Sequence, residues 1–360
     1  MAAPQRVMQQ VSPIVAMNGV SSALHLGTHC LQRAATPAFA CLIKEQVAAR
    51  TAAAVQLLNA PAVRPYLASL TPDSLHTWSN LQRICEVEET NARELPDVKA
   101  NASNLQQFLD ALQGLSSRRD ILAMLLTMTS RESIGSAQQS NEACALGDEW
   151  QSAFLATRMK WHMLQEDFLH ICSGTTPVVD PQSDVIALVE EAALSIHEMC
   201  VGEFGVSPNV EIETNCNELL CCGIPEQIRY IIAELMKNAS VASVQSGNLN
   251  DPIKVSIVST GESRPSATVS SEAASDSFSV TIVDSAGGVP PMALQNMWRL
   301  GWSGHSTQRR IAGFGVGLPL AGIYAGLFGG GVTATPTEAG ASPGTMFTLT
   351  HPIVGIESLR

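Results

Sequence analysis

Glu234 and Asn238 stand one helical turn apart in a stretch from Glu226 to about Val244, whose residues Ile228, Ile231, Ile232 and Leu235 share one face. At that spacing a carboxylate and an amide oxygen converge on one point of the helix flank. The amide oxygen is a ligand type for hard Mg2+, and the carboxylate can orient a nucleophile through its proton. Lys237 lies beside them and can neutralise phosphate, although a solvated lysine is the plainer reading. Glu and Asn on a helix flank are usually just hydrated, so the pair needs company.

That company comes in order along the chain. Val283-Asp284-Ser285-Ala286-Gly287-Gly288-Val289-Pro290 follows a strand pattern, with an acid at its end and glycines where a flat ligand can approach the backbone. Gly313-Phe314-Gly315-Val316-Gly317-Leu318-Pro319 then leads into an apolar helix, Leu320 to Leu327. The start of such a helix offers unpaired N–H groups and a positive dipole end to phosphate oxygens. A dinucleotide fingerprint is excluded because no strand immediately precedes Gly313 and the stretch before it is polar.

These corners need a scaffold. From about residue 40 to 173 the pattern is helical, as in Leu105, Phe108, Leu109 and Leu112, or Phe154, Leu155, Met159, Met163 and Leu164. Breaks at Pro61, Pro65, Pro72 and Pro96 make an antiparallel helical bundle the expected architecture. Ser173 to Pro177 interrupts that texture, and Pro181-Gln182-Ser183-Asp184 offers an N-cap to a helix running to about Cys200. Strands are expected at Val210–Glu213, Ile253–Val258 and Phe278–Val283, with two more near Val332 and Phe347. Interleaved with helices they predict a two-layer α/β sandwich, so the whole chain is α+β. Ser259 to Asp276 has no hydrophobic period and reads as a mobile surface insertion. The expected domains are a tail at 1–40, the bundle at 41–176 and the sandwich at 177–360.

At 360 residues, 45% hydrophobic and 15% charged, the chain can bury two ordinary cores without disulfides. A net charge of −12 excludes an electrostatic grip on nucleic acid or an anionic membrane. Nine cysteines without paired C-x-x-C spacing read as thiols in a reducing compartment, with Cys221-Cys222 as strand filler. The first acid is Glu45, so the opening 44 residues read either as a mitochondrial transit peptide or as a plain tail. No apolar run reaches the roughly 18–20 residues of a membrane span.

E-L-M-K-N-A at Glu234–Ala239, D-S-A-G-G-V-P at Asp284–Pro290, G-F-G-V-G-L-P at Gly313–Pro319 and Gly344-Thr345 resemble the N-box and glycine boxes of the GHKL superfamily. Their wording is similar to the mitochondrial 2-oxoacid dehydrogenase kinases, the pyruvate and branched-chain enzymes. Phe154 to Leu164 and S-D-V-I-A-L-V-E-E-A resemble further helices of that family, extending the likeness over residues 40–352. The resemblance implies a GHKL-type ATP-binding domain after a docking bundle, and a serine kinase of the mitochondrial matrix. It implies ATP and Mg2+ as cofactors, the E1 α subunit as substrate, inhibited by phosphorylation, the lipoyl domain of the E2 core as partner, and a homodimer. By the same resemblance Glu234 polarises the serine hydroxyl and Asn238 holds Mg2+. Asp284 accepts from the adenine amino group with support from Thr345, and Gly313, Gly315 and Gly317 wrap the triphosphate.

Departures from the pattern keep a second reading open, an ATP-binding regulatory scaffold without transferase activity. Arg118 stands where the family has a His beside the catalytic carboxylate, and an Arg there would hold Glu234 ionised or engaged in an ion pair; Val241 replaces a phosphate-side Arg, and Ala286 a glycine. The lid from Trp302 to Ile311 is short, and so is the stretch after Pro352, a tail closer to that of the branched-chain enzyme than to the pyruvate ones. A two-component histidine kinase fits poorly, because His170 follows Glu166-Asp167 rather than preceding an acid, and His162 replaces a family Arg.

Overall fold

The computed structural model describes residues 37–98, 102–115, 121–129, 141–260, 277–302, 315–337 and 343–353, and the chain divides between Val178 and Val179 into two compact units. The first unit holds α1 (Pro37–Asn59), a 3-10 turn (Pro61–Val63), α2 (Arg64–Ser69), α3 (Pro72–Arg93), α4 (Ala102–Leu115), α5 (Ile121–Thr129) and α6 (Asn141–Ser173). Pro61, Pro65 and Pro72 all fall at the first or second helical position, where a missing N–H costs nothing. The Thr71 side chain caps α3 by accepting from the Ser74 N–H. At the other end of the unit, His170 Nδ1 meets the Thr176 carbonyl at 2.9 Å and Thr175 Oγ1 at 3.1 Å, a helix-terminating role.

α1 packs on α3 and α6 around an aromatic cluster. Trp78 and Trp150 have ring centroids 4.6 Å apart, and Trp150 stacks on Phe154 at 5.2 Å. The Trp150 indole donates to the Leu57 carbonyl at 2.9 Å, so its polar edge is satisfied in the core. Against this cluster lies a buried ion pair: Arg158 grips Glu88 with both guanidinium nitrogens, at 2.5 and 3.0 Å. The guanidinium also lies over the Phe154 and Trp161 rings, 5.9 and 5.4 Å from their centroids.

His162 stacks on Trp161 at 3.8 Å. Burial, with the Arg158 charge as second cause, pushes its imidazole down from 6.5 to about 4. In the unfolded chain the same ring binds its proton near 6.5. The unfolded state therefore holds more protons between these two values, and the stabilisation present above pH 6.5 is lost as pH falls toward 4. A loss of roughly 3 kcal/mol over that window is expected from a shift of this size. Chemical denaturation of the wild type and of His162→Gln across pH 4–7 checks it: the variant should lack this acid-sensitive component. Parallel pH curves would refute it.

The second unit begins with β1 (Asp180–Asp184), which pairs antiparallel with β3 (Leu220–Gly223) in a small separate sheet. The polar run Asp180–Asp184 thus forms a strand as well as a cap, because β3 supplies the ladder partners its composition does not advertise. Asp184 Oδ1 accepts from the Ile186 and Ala187 N–H groups and starts α7 (Val185–Phe204), which closes at left-handed Gly205. Cys221 and Cys222 sit buried in β3, and none of the seven described cysteines forms a disulfide.

The main sheet has the order β2-β4-β5-β7-β6, from β2 (Val210–Thr214), β4 (Ile253–Ser259), β5 (Ser277–Val283), β7 (Gly344–Pro352) and β6 (Gly331–Thr337). Only β2 and β4 run parallel, and the crossover between them carries α8 (Pro225–Ser246). Period-two alternation sends Ile253, Val255 and Ile257, then Phe278, Val280 and Ile282, then Phe347 and Leu349 inward. They meet α7, α8 and α10 (Gly317–Leu327) in one core, which confirms the two-layer α+β reading. Each fully buried aliphatic or aromatic side chain contributes about 1.5–3 kcal/mol here. The helix α9 (Pro291–Asn296) follows the Asp284 turn. The greater part of the surface insertion read between Ser259 and Asp276 lies outside the described residues, and among them no helix is long and apolar enough to cross a membrane.

Candidate functional site

α8 carries the first cluster. Ile228, Ile231, Ile232, Leu235, Met236 and Ala239 are buried, which leaves Glu234, Lys237 and Asn238 half-buried along one flank. Asn238 Nδ2 donates to the Glu234 carbonyl one turn back at 2.7 Å. That bond fixes the amide orientation and leaves Oδ1, the metal-ligand type of atom, as the side not used by it.

The Lys237 ammonium lies 2.5 Å from both Glu234 carboxylate oxygens, so the solvated position expected for this lysine is not the one it takes. The carboxylate draws it back along the helix because the i, i+3 spacing puts the two groups in reach. Lys237 thus supplies a cation to Glu234 from the same helix, and Arg118, the cation expected beside this carboxylate, lies outside the described residues.

Gly317 is the first residue of α10, not part of a loop before it, and Leu318 and Pro319 belong to the same first turn. A Cβ on Gly317 would overlap Glu234 Oε2, so glycine is what lets the helix start rest on the carboxylate. Val316 precedes it as N-cap with no side-chain capping bond. The Glu234 carboxylate thus lies against the first turn of α10, which is the positive end of that helix. Tyr230, four residues before Glu234, meets Tyr324 of α10 edge-to-face at 5.5 Å. Its phenol is raised above the ordinary value by burial first, then by the charges of Glu234 and Tyr324.

Gly315, at φ +71, is pressed against Gly301 and Trp302, and its carbonyl accepts from the Gly301 N–H at 2.9 Å. This clasp joins the two ends of segment 303–314, and any side chain at Gly315 would collide with the Trp302 backbone. Gly313 and Phe314 fall within that segment, outside the described residues.

The second cluster is set by sheet register. β5 and β7 pair Val283 with Met346, which brings Asp284 and Thr345 together although they are 61 residues apart. The Asp284 N–H donates to the Thr345 carbonyl at 3.0 Å, and Asp284 Oδ1 accepts from Ala286 N–H at 2.9 Å and Thr345 N–H at 3.3 Å. Asp284 is only 2% exposed. Burial raises its carboxyl above the ordinary value, and the two N–H bonds oppose that shift. With Oδ1 engaged twice, Oδ2 is the acceptor left for a ligand. Gly287 and Gly288 take left-handed φ values of 95 and 78, and Gly344 lies so close to the Asp284 carbonyl that a Cβ would overlap it. Ala286 contributes its N–H, which any residue but proline can do.

Two features of this site carry no sequence signature. Tyr230 is visible in retrospect only through its four-residue offset from Glu234, and Asn248, beside the Asp284 turn, through nothing at all. Among the described residues no group of three or more His, Cys, Asp or Glu is placed to hold a metal.

Comparison with known proteins covers this part of the chain. The profile of the histidine kinase-, DNA gyrase B-, and HSP90-like ATPase family matches residues 223–355, from the end of β3 to just past β7. The mitochondrial pyruvate dehydrogenase (acetyl-transferring) kinase of Ascaris suum is 25% identical over 57% of this chain and 53% of its own length. A probable kinase of the same name from Caenorhabditis elegans is 26% identical over the same shares. The Drosophila melanogaster mitochondrial kinase is 23% identical over 83% of this chain and 75% of its own. The chain thus spans about half the length of the first two relatives. Residues 223–355 thus match the histidine kinase-, DNA gyrase B- and HSP90-like ATPase family, in a chain similar, at about a quarter identity, to the mitochondrial pyruvate dehydrogenase kinases.

Proposed function

We propose that this chain is a mitochondrial serine protein kinase that uses Mg-ATP to phosphorylate the E1 α subunit of a 2-oxoacid dehydrogenase complex and inhibit it. The pyruvate complex is favoured over the branched-chain one by the names of the relatives. The single observation that carries the reading is Glu234, seated on the N-terminal turn of α10 inside an ATPase-family domain. Such a seat puts a proton acceptor beside N–H groups suited to phosphate.

In this reading Asp284 Oδ2 accepts from the adenine amino group, with Thr345 holding Oδ1 in place. Gly288 keeps the base pocket open, and the backbone of Gly313–Leu318, including Phe314 and Val316, lines the triphosphate. Asn238 Oδ1 would hold Mg2+, which neutralises phosphate charge. Lys237 leaves Glu234 for the phosphates as nucleotide enters. Glu234 then takes the serine proton while the hydroxyl oxygen bonds to the γ-phosphorus and ADP departs. The helical unit would dock the lipoyl domain of the E2 core, and a homodimer in the matrix is the expected working form.

A second reading is favoured by one observation. Lys237 occupies both oxygens of Glu234, which suits a domain that binds ATP without transferring phosphate. Labelled Mg-ATP supplied to the purified chain with each E1 component separates the two. Phosphoserine on E1 α is expected, whereas nucleotide binding without phosphoserine would establish the scaffold.

A further inference from the structure

α8 ends at left-handed Gly247, and the next residue, Asn248, reaches across to the turn after β5. Its Nδ2 donates to the Ser285 carbonyl at 2.8 Å and to Asp251 Oδ2 at 3.0 Å. Both partners are acceptors, so only the amide NH2 can serve them, and its two hydrogens are used one on each. Asp251 lies two residues before β4, which runs beside β5 in the sheet. The amide is thus anchored on the β4 side and aimed at the turn.

Ser285 sits between Asp284 and Ala286, the two residues joined by the Asp284 Oδ1 bond. The other ties of this turn come from the β7 side: Thr345 N–H to Asp284, and Gly287 N–H to the Pro343 carbonyl at 2.8 Å. The Asn248 bond comes instead from the end of α8, the helix that bears Glu234 and Asn238. It links the element with the phosphate chemistry to the turn with the base acceptor.

We propose that Asn248 is a positioning residue that sets the Asp284 turn relative to α8, and so determines how strongly adenine, as distinct from triphosphate, contributes to binding. The proposal rests on the nucleotide reading of the site. Without the Asn248 donor, the Ser285 carbonyl turns to water and the turn that follows Asp284 loses its tie to the end of α8. The triphosphate contacts on α8 and α10 do not depend on that bond.

The test is calorimetric binding of Mg-ATP and of Mg-tripolyphosphate to the full chain, for wild type, Asn248→Asp, Asn248→Ala and Asp251→Ala. Asn248→Asp keeps the shape and removes the donor; Asn248→Ala guards against repulsion from Asp251. Both are expected to weaken Mg-ATP by about fivefold to tenfold, the net worth of one hydrogen bond. Mg-tripolyphosphate should stay within about twofold, and Asp251→Ala should weaken Mg-ATP less than either Asn248 variant because it removes the anchor of the amide but keeps the Ser285 bond. Unchanged ATP affinity in both Asn248 variants, or equal weakening of the two ligands, overturns the proposal. A wild-type chain that binds tripolyphosphate as tightly as ATP instead overturns the adenine pocket beneath it.

Discussion

Under the proposed kinase function, Glu234→Gln is expected to bind Mg-ATP like the wild type and to lose phosphoryl transfer to E1 α by about 10²- to 10⁴-fold, the usual contribution of a positioned general base. The substitution keeps the shape of the side chain and an oxygen for the Lys237 ammonium, so the close fit against Gly317 survives. What disappears is the ability to take the serine proton. Because phosphoryl transfer has a loose transition state, positioning and charge neutralisation remain, which is why a residual rate is expected rather than none. Initial-rate assays with saturating Mg-ATP, paired with binding calorimetry, make the measurement. Transfer within tenfold of wild type would remove Glu234 from the reaction; lost nucleotide binding would mean its role is architectural.

Glu88→Ala is expected to destabilise the helical unit by about 3–5 kcal/mol, because it strands the Arg158 guanidinium in the core. Both side chains are 5% exposed, and arginine cannot shed its proton to relieve the cost. Cys85, whose thiol burial pushes up to about 12, accepts weakly from Arg158 at 3.7 Å and offers no charge in exchange. Replacing both partners, Glu88→Leu with Arg158→Met, should recover most of the loss, since an apolar pair of similar volume avoids desolvating two ions. Denaturant unfolding of the two single variants and the double variant reads the coupling directly. A Glu88→Ala change below about 1 kcal/mol would mean the guanidinium reaches water or another anion.

Much of this organisation is legible in the residues themselves. The apolar period of α7 and α8, the alternation in β4 and β5, and the Asp184 cap are local signals, and their elements come within a few residues of the expected bounds. The pairing of β1 with β3 was hidden, because Pro181, Gln182 and Ser183 carry no strand signal and gain their conformation from a ladder with Leu220–Gly223, far along the chain. The placement of Lys237 was equally hidden: sequence spacing allows both a solvated and a paired rotamer, and the half-buried flank of α8 selects the paired one.

The chain's order of motifs by itself determined an α+β fold whose glycine and acid boxes resemble a nucleotide site, with an acid and an amide on one helix flank, because glycine placement and helical period are properties of short segments. Only the tertiary structure decided that the start of α10 rests on Glu234, that Asp284 faces Thr345, and that Asn248 ties the two ends of the site together. Those contacts join residues separated by tens of positions, and their geometry follows from strand register and core packing, which no local pattern encodes.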